Sequence, residues 1–166
     1  LTTIVTQLAG ELARLEGTVT PTTVALADPD IAVLAIDFTA VDSLSCSLTE
    51  LRLNLPELRN VPIDELERWG RELCDHVSYL LEDIGPLEVD AAGHQVLIRS
   101  TPPDERPAGV KFYEIILTSH SSGNCTLRRY ESEQGTIGRV PVDIQLTHEV
   151  LLKLVGDLLD TAQAAT

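Results

Sequence analysis

Between Leu87 and Gln145 the chain runs through five apolar, β-rich stretches separated only by turn-forming residues, and that block constrains the fold more than any other feature. The stretches cover residues 87–90, 94–100, 110–119, 125–131 and 139–145. Between them lie Ala91-Ala92-Gly93, a proline-rich connection over 101–109, a polar turn over 121–124 and a glycine-containing loop over 135–138. A parallel crossover needs a dozen or more residues, usually a helix, so consecutive strands joined this closely pair antiparallel. Val140, Val142, Ile144 and Leu146 alternate with Arg139, Pro141, Asp143 and Gln145, which buries one face of the sheet and leaves the other wet. Pro141 places its strand at an edge, or with the missing donor toward solvent.

Upstream, the hydrophobic period changes three times. Ile4, Val5, Leu8, Leu12 and Leu15 fall on one helical face over residues 2–16, with Thr2 or Thr3 as N-cap and Gly17 as the stop. Residues 22–27 and 31–38 are then β-branched and apolar, joined by Asp28-Pro29-Asp30, a turn in which proline fixes φ and aspartate bonds its own backbone. Leu44, Cys46 and Leu48 alternate with serines, whereas Leu51, Leu53 and Leu55 alternate on the opposite parity. A β-bulge near Thr49-Glu50 keeps both runs facing the core. From Asp64 the helical period returns: Ile63, Leu66, Trp69, Leu73, Val77, Leu80 and Ile84 form one stripe. Asp64 and Glu67 are spaced as a capping box, and Glu65, Arg68, Glu72, Asp75 and Glu82 line the charged side. This predicts a helix to Ile84, ended by Gly85-Pro86. Thr147 caps a last helix over 149–161.

The predicted order is α-β-β-β-α-β-β-β-β-β-α. Strands arriving in blocks argue for an α+β fold, a mainly antiparallel sheet packed against helices. At 166 residues one core suffices, so residues 1–166 are expected to form a single domain, the alternative being a two-lobe split near 56–62, where Pro56 and Pro62 bracket a linker.

The chemistry is defined mostly by absences. G-x-S-x-G, G-x-G-x-x-G, Walker A and H-E-x-x-H patterns do not occur, so no catalytic residue and no cofactor is expected and the reading leans away from an enzyme. Ser43, Ser45 and Ser47 alternate with apolar neighbours as solvent-facing strand positions do. His76, His94, His120 and His148 are scattered singly, and Cys74 and His76 on one helix project about 200° apart, so no metal site is expected. Cys46, Cys74 and Cys125 are odd in number and widely spaced, unlike a secreted disulfide framework. No apolar run approaches the roughly 20 residues of a membrane span. The expected location is therefore the cytoplasm, with allowance for a trimmed N-terminus because Leu1 stands where an initiator Met would.

The formal charge of −14 repels phosphate backbones and anionic lipid, so neither nucleic acid nor membrane is expected as a partner. A protein partner or self-association is. One cluster stands apart from the acidity: Arg99, Lys111, Arg128 and Arg139, with Arg129 beside them and Tyr113 and Tyr130 among them, all in the second strand block. Aligned on the wet face, these would form a basic, aromatic patch for an anionic ligand or acidic peptide. Cross-strand pairing with Glu114, Glu131 and Glu133 is the favoured alternative.

In element order and acidity the chain is similar to the dimeric chaperones of type III secretion, although five strands after the second helix exceed the two of that family. The resemblance implies homodimerisation and a polypeptide partner. The expected function is a non-catalytic protein-interaction module, chaperone-like or an assembly component. The alternative is a small-molecule-binding protein or enzyme with a pocket on the C-terminal sheet, built around His94, Glu114, Arg128 and Tyr130.

Overall fold

A computed structural model of the chain describes residues 3–100, 104–106, 109–133 and 135–165, with the backbone alone at 104–106. The chain forms an α+β fold: helix α1 (Thr3–Arg14); strands β1 (Thr22–Asp28), β2 (Ala32–Val41) and β3 (Ser45–Leu55); helix α2 (Ile63–His76); strands β4 (Ile84–Asp90), β5 (Gln95–Ser100), β6 (Asp104–Arg106), β7 (Gly109–Thr118), β8 (Gly123–Ser132), β9 (Val140–Val142) and β10 (Ile144–Thr147); and helix α3 (His148–Ala165). A short 3-10 turn, Pro56–Leu58, follows β3. Thr2, one of the two N-caps considered for α1, and much of the proline-rich connection lie outside the described residues.

All pairings are antiparallel, in the order β1-β2-β3-β8-β7-β5-β4, with β6 on β7, β9 on β8 and β10 on β3. Strands on either side of the Pro56–Pro62 stretch thus pair in one sheet through β3 and β8. The register stacks aliphatic side chains into rows that cross the sheet. One runs Val96, Leu117, Cys125, Leu53, Leu34 and the next Ile98, Ile115, Leu127, Leu51, Ile36, all buried. The three helices cover this face, α1 over β1 and β2, α2 over β4, β5 and β7, with α3 packed between them. Two tethers hold α2 to α3: Trp69 Nε1 donates to Thr161 Oγ1 at 3.1 Å, and Arg68 Nη1 to the Ala165 carbonyl at 2.9 Å. Gly70 lets α2 approach the sheet, since a Cβ there would sit 2.6 Å from Leu87 Cδ2.

Local chemistry explains several junctions. Asp28 accepts from the Asp30 amide through Oδ1 and from the Ile31 amide through its carbonyl, closing the β1–β2 hairpin. The pairing slips between Asp37↔Glu50 and Phe38↔Leu48, leaving Thr49 as the extra residue of the expected bulge. Thr147 Oγ1 caps α3 by accepting from the Val150 amide at 3.2 Å.

Four expectations need correction. Helix α2 stops at His76, because continuing to Ile84 would carry eight more residues about 12 Å further along the axis. The chain turns back instead, burying Val77, Leu80 and Glu82 and delivering Ile84 as the start of β4. Asp64 does not cap the helix: Pro62 is the N-cap, and Asp64 and Glu65 occupy the first turn, where their charge meets the positive end of the helix dipole. Leu44 is exposed at the β2–β3 turn instead of facing the core.

The fourth correction is topological. The single strand expected over 139–145 is two, because its neighbours separate. β3 and β8 pair only from Leu51↔Leu127 to Leu55↔Gly123. Beyond that point they diverge, and the β9–β10 segment fills the fork, β9 on Arg129–Glu131 of β8 and β10 on Ser45–Leu48 of β3. Asp143 sits at the switch and accepts from Thr39 Oγ1 at 2.7 Å.

Candidate functional site

The side chains expected to form a patch divide between the two faces of β7 and β8. In β8, Cys125, Leu127 and Arg129 point toward the helices, so Thr126, Arg128 and Tyr130 point away; in β7 the inward set is Tyr113, Ile115 and Leu117. Arg99, Arg128, Tyr130 and Arg139 therefore come together on the outer face around Glu114. Tyr113 is buried beneath the helices, and Lys111 shares its parity, opposite Glu131.

On the outer face the register builds a row of charge across the strands: Arg99, Glu114 and Arg128, then Glu50, Asp37 and Thr23. Glu114, 3% exposed, binds both guanidinium nitrogens of Arg139, Nη2 at 3.0 Å, and takes a longer contact from Arg99 Nε at 3.4 Å. Arg139 also lies over the Tyr130 ring, 3.8 Å from its centroid. Arg128 reaches Tyr130 Oη at 3.4 Å and Glu50 at 2.9 Å; Glu50 and Asp37 share Arg52 at 2.7 and 2.6 Å; Thr23 Oγ1 donates to Asp37 at 2.7 Å. The Arg52 guanidinium holds the Asp37 carboxyl below the usual carboxylate range, and Glu114 raises the Arg139 guanidinium further. Basic side chains laid this way neutralise their own sheet. The pocket residues considered with them do not all converge: His94 lies in the β4–β5 turn beside Gln95, which pairs with Thr118, four residues along β7 from Glu114.

A second charged group lies under the helices. Glu82 and Arg129 form an ion pair whose side chains are 5% and 7% exposed, and the Arg129 guanidinium lies 4.8 Å from the Tyr113 ring centroid. Burial pushes the Tyr113 phenol up. The helical period had put Glu82 in solvent. The inward parity of Arg129 was the one signal in the sequence that a buried acid partner would be required.

Nucleophile chemistry finds no support at the sites considered. Burial pushes the Cys46 and Cys125 thiols up to about 12, far from thiolate at neutral pH. All three cysteines are free. Ser45 donates its hydroxyl to Asp42, which also accepts the Leu44 and Ser45 amides, so it belongs to a turn. Among the described residues no three His, Cys, Asp or Glu side chains gather as a metal-ligand set. Two of the histidines do meet, however: His94 from the β4–β5 turn and His120 from the β7–β8 turn, with ring centroids 5.2 Å apart and planes at 61°.

The helix side carries an open groove of about 590 Å³ between α1 and α3, lined by Val5, Thr6 and Ala9 on one wall and Leu152, Gly156 and Asp160 on the other. Small residues open it, since a Cβ placed on Gly156 would meet no atom within 4 Å. At its edge Asp157 accepts from Tyr79 Oη at 2.7 Å and Lys153 Nζ at 2.9 Å, with Lys153 over the Tyr79 ring. No helix among the described residues is long and apolar enough to cross a membrane.

No family model matches the chain, and no curated protein and no solved structure matches it either.

Proposed function

We propose that the protein is a non-catalytic interaction module whose α1–α3 groove receives the apolar face of a basic amphipathic helix from a protein partner. The groove carries this reading. Its apolar walls, Val5 and Leu152, stand around small residues that leave room for side chains spaced one helical turn apart, the way an amphipathic helix docks in a groove. Asp160 on its rim, beside the Lys153–Asp157 pair, and the net charge of −14 draw a basic segment. The outer sheet face fits a partner less well, because its charges already neutralise one another. A second copy would bring the same −14 to the contact, so homodimerisation, the state implied by the chaperone resemblance, is disfavoured electrostatically.

The test uses a labelled synthetic helix with leucines at i, i+4 and i+7 and lysines elsewhere, titrated against the protein by fluorescence anisotropy. Gly156→Leu and Ala9→Leu place bulk in the groove, and each is expected to weaken binding at least tenfold, with wild-type binding weakening as salt rises. Equal binding by the filled variants overturns the proposal. So does a native mass spectrum showing a dimer that the filled variants dissociate, which would make the occupant a second copy.

A further inference from the structure

We infer that His94 and His120 form a binding site for a divalent transition-metal ion, with two imidazole ligands from this chain and the remaining positions open to water or an exchangeable ligand. The residues lie 26 positions apart, each in a turn. The antiparallel β4–β5–β7–β8 order places both turns at the same end of the sheet, since Gln95 pairs with Thr118 and Asn124 pairs with the same threonine from β8.

The rings meet edge to face, at the separation two imidazoles keep when a nitrogen of each turns to one ion. With zinc–nitrogen bonds of about 2.0–2.1 Å, each ring centroid lies about 3.2 Å from the metal, and a tetrahedral angle then places the two centroids about 5.2 Å apart. The observed distance is 5.2 Å, with the planes inclined at 61°. His120 is exposed and His94 half-buried, so an ion can reach both. The other two histidines are engaged elsewhere: His76 Nδ1 donates to the Glu72 carbonyl and His148 Nε2 to the Ser45 carbonyl. Imidazole nitrogens suit Zn²⁺, Cu²⁺ and Ni²⁺ over Mg²⁺ or Ca²⁺, which prefer oxygen. With only two protein ligands the ion is held reversibly, unlike a closed four-ligand structural site.

The backbone guides the choice of variants. His94 has φ +49°, in the left-handed region, so His94→Asn preserves the turn better than alanine would. His120→Gln removes the second ligand, and His76→Gln serves as the control. Zn²⁺ is titrated by isothermal calorimetry in a non-coordinating buffer, and histidine side-chain NMR records which rings respond. The expected result is one equivalent of Zn²⁺, perturbation of the His94 and His120 resonances together, and at least tenfold weaker binding in each of His94→Asn and His120→Gln. His76→Gln should leave the affinity unchanged. Two results would overturn the assignment: no Zn²⁺ binding by the wild-type protein, or binding that both His94→Asn and His120→Gln retain at wild-type strength. Fold integrity is read from the NMR amide spectrum of each variant, so a loss of binding through unfolding is recognised, and the resonance mapping on the wild-type protein then decides the question alone.

Discussion

Glu114 and Glu82 are two carboxylates almost shut off from water, each held by arginine and lying on opposite sides of the same pair of strands. Their surroundings differ. Glu114, on the outer face, is gripped by Arg139 and Arg99, whose side chains are 37% and 48% exposed, so water and salt reach the cationic side of the network. Glu82, beneath the helices, faces an Arg129 that is itself 7% exposed. A dry pair attracts more strongly, but desolvation costs it more, and its value becomes evident mainly when one member is removed. The outer network has redundancy, two arginines on one carboxylate.

The sharpest way to break the contrast is Arg129→Met, which removes the buried guanidinium that faces Glu82. Urea unfolding should show a loss of about 3–5 kcal/mol, and adding Glu82→Leu should restore much of it. Arg139→Ala comes next. Glu114 keeps Arg99, so about 1–2 kcal/mol should be lost, and a loss matching that of Arg129→Met would show the two faces to be equally dry. The smallest effect belongs to Arg52→Ala, where thermal unfolding should register less than about 1 kcal/mol because the pair is partly exposed. Here the sign with pH is defined. Asp37 has a lowered folded-state pKa, so the stabilisation is complete above the unfolded value of 3.8 and fades as pH falls through the folded one. Wild type and Arg52→Ala should therefore converge in stability as pH falls from 3.8 through the lowered folded-state value; a difference persisting in strong acid would assign the effect to packing instead of charge. A further check on the helix side is Gly156→Ala, which should raise stability by about 1 kcal/mol, since it replaces glycine inside a helix where the added methyl meets nothing.

Features with local causes were legible in the sequence. The Asp28-Pro29-Asp30 turn, the extra residue at Thr49 and the Thr147 cap each rest on neighbouring residues, and each is where the pattern put it. Features decided by distant contacts were not. The apolar stripe through Val77, Leu80 and Ile84 is helical in period, yet those positions are buried by a segment that folds back toward Arg129. The continuous alternation from Val140 to Leu146 carried no sign that β3 and β8 diverge, because the fork is made by strands far away in the chain. Tyr113 and Tyr130, expected together in one patch, lie on paired strands but face opposite sides of the sheet, which the pairing register decides. His94 and His120 looked solitary because only the strand order brings their turns together.

The β9–β10 segment that fills the fork has a consequence for how the molecule is assembled. Cys46 and Leu146, paired across β3 and β10, are 100 residues apart, and β10 leads directly into α3. Closing that span carries the loop-closure entropy of a long segment. On the ribosome, the first three strands must wait for the last strand and helix before their exposed side is closed, and until then Ser45–Leu48 is an open edge able to pair with another chain.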